Sequence, residues 1–315
     1  MIYQKKLKTH ITVFLILLLV FMTPFTAGCI EPGQGKFRMD IWILKTDAAG
    51  AMEWLAVIDD DPNNRGEAFL QTSDGGYAIA GTGTDPRQNG PVPSIFLLDK
   101  NGNTRPDIPL GNPPDYGSSI ASAPDNGYVI TSYSGTMFRV AENGTVLWST
   151  PFNAGGDWGE VIRVPEGGYA VTAGNRVVRV NENGTIAWTT GFEMDRNTTK
   201  IIAGPAGEIV TGGIDGADVW IARLKPDGGI LFNTTLKSIS PASLNFIRFS
   251  PQGTYEVVYG SNAYRGDERT GRWISNISKT SITTDGSLVR NSVVNVSRII
   301  TATDDGGYAY VGFSD

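Results

Sequence analysis

The sequence predicts an all-β fold, a six-bladed β-propeller of four-stranded antiparallel blades, and three observations carry that prediction. A turn-and-strand motif, Asp74-Gly75-Gly76-Tyr77-Ala78-Ile79, recurs as Asp125-Asn126-Gly127-Tyr128, Glu166-Gly167-Gly168-Tyr169 and Asp305-Gly306-Gly307-Tyr308, with looser copies at Gly207-Glu208-Ile209 and Gly253-Thr254-Tyr255. A second motif alternates with it: a strand, an Asn-Gly or Asp-Gly turn, and a strand that often ends in Trp, as in Val180-Asn181-Glu182-Asn183-Gly184-Thr185-Ile186-Ala187-Trp188. Each motif occurs six times, the first at Tyr77, Tyr128, Tyr169, Ile209, Tyr255 and Tyr308, the second at Gly50, Gly102, Gly144, Gly184, Gly228 and Gly286.

The residue types follow from local geometry. A two-residue hairpin turn needs positive φ, which Gly and Asn supply cheaply, and the strand after it favours aromatic and β-branched side chains. Self-similarity at a period of about 40 to 50 residues marks repeats that bury each other's faces. The two motifs together make one blade, A-turn-B, loop, C-turn-D. The chain starts with a C-D pair, residues 41–44 and 52–57, and ends with an A-B pair, residues 297–303 and 308–312. Pairing these halves into one blade closes the ring and removes its exposed edge.

Three segments are expected: a signal peptide at 1–28, a lipidated Cys with a tether at 29–39, and the propeller domain at 40–315. Lys5, Lys6 and Lys8 precede an apolar run from 11 to 22, which is too short to span a bilayer and ends in small residues before Cys29. Thr26-Ala27-Gly28-Cys29 resembles the lipobox of prokaryotic lipoproteins, which implies a lipid on Cys29 and a protein held on the outer face of the cytoplasmic membrane. Pro32, Gly33 and Gly35 suit a flexible tether.

Composition excludes more than the motifs assign. The formal net charge is -6, and removing the three signal lysines makes the remainder more acidic, so nucleic acid is not an expected partner. The sole His is His10, inside the signal, and Cys29 is the sole Cys. The mature chain then has no His and no Cys beyond the lipidated Cys29, and so no Ser-His-Asp or Cys-His machinery, no intramolecular disulfide and no His/Cys zinc site. Carboxylate chemistry, oxygen-ligated metals and binding without chemistry remain. No catalytic residue is nominated and no cofactor is expected.

The A-B-C-D pattern of turn, Tyr or Val strand, Asn-Gly turn and Trp resembles the pyrroloquinoline-quinone-type propeller repeat. Its Asp-Gly-Gly-Tyr form resembles archaeal cell-surface propeller lipoproteins of unassigned function. The likeness covers about residues 40–315 and implies fold rather than activity, because the shared residues are turn and packing positions. Quinone dehydrogenases of this style have more blades than six repeats supply.

Blade topology sorts the loops: A-B and C-D turns share one face and are tight, while B-C and D-A connections share the other and vary, so function is expected there. The long members are 85–93, 105–116 and 261–275. The last combines Tyr264, Arg265, Arg269, Arg272 and Trp273, which suit a sugar, carboxylate or protein partner; the competing reading is a solvated loop with Trp273 against its own blade. Asp59, Asp60 and Asp61 are candidate calcium ligands, although their spacing better suits an acidic solvated loop. Asp115-Tyr116-Gly117-Ser118 and Asp157-Trp158-Gly159-Glu160 occupy one repeat position and read as structural lead-in turns to strand A. Six sequons, Asn143, Asn183, Asn197, Asn233, Asn276 and Asn295, are candidate glycan acceptors in an exported chain.

The expected function is a membrane-anchored binding or scaffold module for a surface protein or glycan. The alternatives are a carboxylate-dependent carbohydrate-active enzyme and a purely structural envelope component. The sialidase Asp-box spacing is absent around Asn143 to Trp148.

Overall fold

The computed structural model describes residues 41–47, 51–58, 64–88, 90–153, 158–193, 196–237, 243–265, 272–295, 299–302 and 308–310. Every described element is a β-strand. β1 (Ile41–Thr46) and β2 (Met52–Ile58) form an antiparallel ribbon. Five four-stranded antiparallel sheets follow in chain order. The first blade is β3 (Arg65–Gln71), β4 (Tyr77–Thr84), β5 (Pro91–Leu98) and β6 (Thr104–Pro109). The second is β7 (Gly117–Ser122), β8 (Tyr128–Ser132), β9 (Thr136–Val140) and β10 (Val146–Pro151). The third is β11 (Val161–Arg163), β12 (Tyr169–Ala173), β13 (Arg176–Val180) and β14 (Ile186–Gly191). The fourth is β15 (Arg196–Ala203), β16 (Ile209–Asp215), β17 (Asp218–Leu224) and β18 (Ile230–Leu236). The fifth is β19 (Ser243–Phe249), β20 (Tyr255–Arg265), β21 (Arg272–Ile282) and β22 (Leu288–Asn295). A ribbon of β23 (Ile299–Ala302) and β24 (Tyr308–Tyr310) ends the series.

The core lies between blades rather than within them. Ile41, Ile43, Ala56 and Ile58 of the first ribbon pack against Tyr77, Ile79, Phe96 and Leu98 of the first blade, as one blade packs on another. The same arrangement joins Ala80 and Ile95 to Ile130 and Phe138, then Met137 to Tyr169 and Val178, then Val177 to Ile209 and Leu224, then Ile221 to Tyr255 and Val257. Each fully buried Tyr, Leu or Ile of this kind contributes about 1.5–3 kcal/mol, which makes each blade the other half of its neighbour's core. First strands of successive blades lie side by side, β3 with β7, β7 with β11, β15 with β19. Strand A is therefore innermost, and strand D is the outer edge.

The hairpins are not the two-residue turns expected from sequence. In the first A-B turn Gly75 N donates to Thr72 O at 2.9 Å and Thr72 N donates to Gly76 O at 2.9 Å. That is a three-residue loop, a type I turn closed by a left-handed residue, here Gly75 at φ 82°. The pattern repeats at Val164–Gly168 and in the C-D turns Asp99–Asn103, Asn181–Thr185 and Lys225–Gly229. One extra residue per turn puts a bulge in the ladder, seen as the register shift between Arg179 and Val180.

All three expected long loops are shorter because strands extend into them. β5 begins at Pro91, and its prolines are tolerated because Pro91 and Pro93 pair only with β4; the ladder to β6 starts at Ser94. Residues 105–109, expected in a loop, belong to β6. Residues 261–265 and 272–275 likewise belong to β20 and β21, so most of the expected 261–275 loop is a hairpin.

Candidate binding face

On the long-loop face a single buried carboxylate sets the local geometry. Asp115, in the D-A connection before β7, accepts hydrogen bonds from Tyr116 N at 2.8 Å, Ser134 N at 3.0 Å and Ser134 Oγ at 2.7 Å. Tyr133 N also donates to Tyr116 O at 2.8 Å. The D-A loop and the following B-C turn are thereby tied together, and Tyr116 and Tyr133 stand side by side, ring centroids 6.2 Å apart at 80°.

The neighbouring blade adds the third ring. Gly159 O accepts hydrogen bonds from Ser118 Oγ at 3.0 Å and Thr131 Oγ1 at 2.8 Å, both buried, which clamps the loop before β11 onto the second blade. A Cβ at Gly159 would lie 2.5 Å from Thr172 O, so the backbone approach requires glycine. The clamp brings Trp158 to 5.1 Å from Tyr133, centroid to centroid, at 53°. Arg65, at the start of β3, places its Cζ 5.6 Å from the Trp158 ring centroid, within cation–π range. Arg65 also pairs with Glu67, whose carboxyl burial pushes up and the guanidinium partly pulls back.

Three aromatic side chains from two adjacent blades thus form one exposed group: Tyr116 is 39%, Tyr133 36% and Trp158 45% exposed. Large rings are ordinarily buried, and a contiguous exposed set backed by rigid hydrogen bonds is a feature of binding surfaces. The arrangement can stack on a flat apolar ligand face and offers the Arg65–Glu67 pair at its edge as donor and acceptor.

Elsewhere on this face the charged groups serve the fold. Glu160 accepts Ile201 N at 2.9 Å and pairs with Lys200 at 3.5 Å, linking the third blade to the fourth. Asp85 binds Arg87 and Gln88 at 2.9 Å, bonds that hold its carboxyl well below the usual range. Arg196 is engaged by Asp215 at 3.1 Å and Asn233 at 2.8 Å and lies over Trp220. Among the described residues no group of three or more His, Cys, Asp or Glu is placed to hold a metal.

The residues singled out from sequence are distributed as follows. Tyr264 is the register partner of Trp273, and Arg265 of Arg272, at the end of the β20–β21 hairpin on the long-loop face. Arg269, Asp59, Asp60, Asp61 and Cys29 lie outside the described residues. Asn143 and Asn183 sit in C-D turns, Asn197 in β15 and Asn233 in β18; Asn276 and Asn295 are register partners in β21 and β22. Sequence reasoning treated the 115–118 and 157–160 segments as structural turns, which describes Asp115 and Gly159. It missed the exposed Tyr116 and Trp158. Their shared repeat position was the available signal, since equivalent positions in successive blades are neighbours.

The opposite face is built of short turns. A pocket of about 350 Å³ lies there between the A-B turns of the first two blades, lined by Leu70, Thr72, Ser73, Asn126 and Tyr128.

No family model and no curated protein matches this chain. Among solved structures it is similar to a streptogramin B lyase, with a TM-score of 0.59, 15% identity and coverage of 84% of this chain and 81% of that one. It is similar to virginiamycin B lyase from Staphylococcus aureus, with a TM-score of 0.56, 14% identity and coverage of 84% and 83%. It is also similar to the WD40 repeats of RRP9, with a TM-score of 0.57, 12% identity and coverage of 79% and 74%. At such identities the likeness shows the fold alone: the chain is a β-propeller of four-stranded antiparallel sheets.

Proposed function

We propose that this protein is a six-bladed binding propeller, tethered outside the cytoplasmic membrane through a lipid on Cys29, that captures a surface protein or glycan on its long-loop face. The observation carrying this reading is the exposed Tyr116–Tyr133–Trp158 group with Arg65 at its edge. Five four-stranded sheets in series could present such a face, but a closed ring fixes the blades against each other. In the closed form the β1–β2 ribbon and the β23–β24 ribbon are the outer and inner halves of the sixth blade. The β20–β21 hairpin, with the register pairs Tyr264–Trp273 and Arg265–Arg272 at its described end, extends the same face.

The solved lyases do not lend their activity. One related structure is described as a virginiamycin B lyase made catalytically inactive by replacing a single histidine with alanine, bound to quinupristin. The sole histidine here is His10, within the proposed signal. A carbohydrate-active enzyme would place two or three carboxyls of raised pKa together. Among the described residues Glu67 is shifted that way, while Asp74, Asp85, Asp99 and Asp125 are shifted down.

Full-length protein in detergent is applied to a glycan array and to a surface-protein extract, beside a Tyr133→Ala/Trp158→Ala variant. The reading expects retention of a defined glycan or protein by the wild type and its loss in the variant; equal retention by both rejects the aromatic site. Metabolic lipid labelling of wild type and Cys29→Ser tests the anchor, and unchanged membrane retention of the variant rejects it.

A further inference from the structure

The outer strands of this propeller differ in the charge they carry along their free edges. Strand D of every four-stranded sheet pairs on one side only, leaving its other row of N–H and C=O groups as a template for another chain. β6 carries Arg105, Pro106, Asp107 and Pro109, and β2 carries Glu53; charges and prolines of this kind block edge-to-edge pairing. β10 (Val146-Leu147-Trp148-Ser149-Thr150-Pro151), β14 (Ile186-Ala187-Trp188-Thr189-Thr190-Gly191) and β18 (Ile230-Leu231-Phe232-Asn233-Thr234-Thr235-Leu236) carry no charge at all, and their one proline is Pro151 at the last residue of β10. They also expose Val146, Leu147, Ile186, Ile230 and Leu231. Uncharged, apolar, β-prone edges are aggregation sites unless something covers them.

Each of these three strands has an Asn-x-Thr sequon in or immediately before it: Asn143-Gly144-Thr145 before β10, Asn183-Gly184-Thr185 before β14, Asn233-Thr234-Thr235 within β18. Neither β6 nor β2 has one, whereas β22, the outer strand of the fifth blade, carries both the charge of Arg290 and the sequon that starts at Asn295. All three asparagines are exposed. Their described hydrogen bonds use Oδ1: Asn143 accepts from Thr145 N at 3.0 Å, Asn183 from Thr185 N at 3.1 Å and Thr185 Oγ1 at 2.7 Å, and Asn233 from Arg196 at 2.8 Å. The Nδ2 atom, which carries the sugar in N-glycosylation, is in no described hydrogen bond at any of the three.

We infer that Asn143, Asn183 and Asn233 carry N-linked glycans that shield the uncharged outer strands of the second, third and fourth blades from pairing with other copies. The inference rests on the export reading above. The donor is a lipid-linked oligosaccharide. Nδ2 loses one proton and bonds to the anomeric carbon, while the bond from that carbon to the donor's phosphate oxygen breaks and the lipid phosphate leaves with the electron pair. A glycan at the strand or its leading turn is bulky and solubilising and stands where a second strand would dock.

The test isolates the full-length protein from its own cells, maps occupancy at the three asparagines by peptide mass spectrometry, and removes glycans enzymatically from the folded protein. The expected result is a glycan mass on each site, and a shift from monomer to larger species by light scattering after removal. Triple Thr→Ser replacement at Thr145, Thr185 and Thr235 keeps the sequons and the glycans; Thr→Ala at the same positions abolishes both occupancy and monodispersity. An exported protein with bare asparagines overturns the proposal alone, as does a deglycosylated protein that stays monomeric. Retention of the chain in the cytoplasmic fraction overturns the export reading and the glycans with it.

Discussion

The indole Nε1 of Trp188 donates a hydrogen bond to Pro226 O of the next blade at 2.8 Å, beneath a C-D turn whose Gly228 leaves no room for a side chain. A Cβ on Gly228 would lie 2.8 Å from the ring, and the residue has φ 88°. Trp148 makes the same contact with Glu182 O at 2.9 Å under Gly184, and Trp54 with Lys100 O at 3.3 Å under Gly102. Ile108 and Phe232 occupy the equivalent place under Gly144 and Gly286. The Trp at the end of one repeat and the Gly in the turn of the next are thus two halves of one inter-blade lock.

Breaking this lock loosens adjacent blades. Trp188→Ala is expected to cost about 3 kcal/mol, at the low end for a large aromatic because the ring is partly exposed. Gly228→Ala is expected to cost about 2 kcal/mol through left-handed strain and collision with Trp188. Urea denaturation checks both, and the double variant should cost less than the sum, because the substitutions remove one shared contact.

Acid weakens a second inter-blade tie. Glu208, buried, accepts Arg223 at 2.8 Å, Tyr255 Oη of the next blade at 2.9 Å and Ala206 N at 2.8 Å. Burial works to raise its pKa, but its own backbone bond and those three partners together hold it below the usual value. A folded pKa below the unfolded one contributes stability above the ordinary carboxylate range, lost as pH falls through the folded value. Thermal melts of wild type and Glu208→Gln should therefore differ most near neutral pH and converge in acid. A constant gap across pH would contradict this.

Alkali acts on the partner. Tyr255 is pushed up to about 12 by burial, then by its bond to Glu208, and Tyr169 to about 12 by burial, then by the Glu182 charge. Stability from these neutral phenols is intact below the unfolded pKa of about 10 and lost as pH rises through the folded values. Burial also raises Tyr77 and Tyr128, so phenolate absorbance should show a late-titrating group of tyrosines whose ionisation coincides with unfolding; Tyr255→Phe should remove one of them.

On the binding face, Asp115→Ala removes the acceptor for Tyr116 N, Ser134 N and Ser134 Oγ. The expected cost is about 2 kcal/mol from donors left unpaired, together with weakened capture of the partner although Asp115 is buried beneath the rings. Melting temperature and binding measured on the same sample check the pair of effects.

The repeat, its strands and its turn positions were legible in the sequence because turn chemistry is local: Gly75, Gly184 and Gly228 announce positive φ wherever they stand. The bulged three-residue form was less so, since Asp-Gly-Gly and Asn-Gly suit either turn until the Thr72–Gly76 bond is seen. The candidate site was illegible for a different reason. Tyr116, Tyr133, Trp158 and Arg65 are distant in sequence and meet only because consecutive blades sit side by side around an axis. Charge and aromatic content within one segment directed attention to residues 261–275 instead, where strand pairing continues through much of the expected loop.

Ring closure has its own test. Deleting residues 299–315 removes β23 and β24, and closure predicts a lower melting temperature with faster proteolysis of the β1–β2 ribbon. An unchanged melt and an unchanged cleavage pattern would contradict closure.

The central claim, a binding propeller whose long-loop face carries the contact, is tested most directly by comparing capture by wild type and by Tyr133→Ala/Trp158→Ala protein of matched stability. For the glycan or surface protein that wild type retains, the account predicts a loss of about 2 kcal/mol or more, roughly thirtyfold in affinity, in the variant. Equal affinity in the two proteins would contradict it.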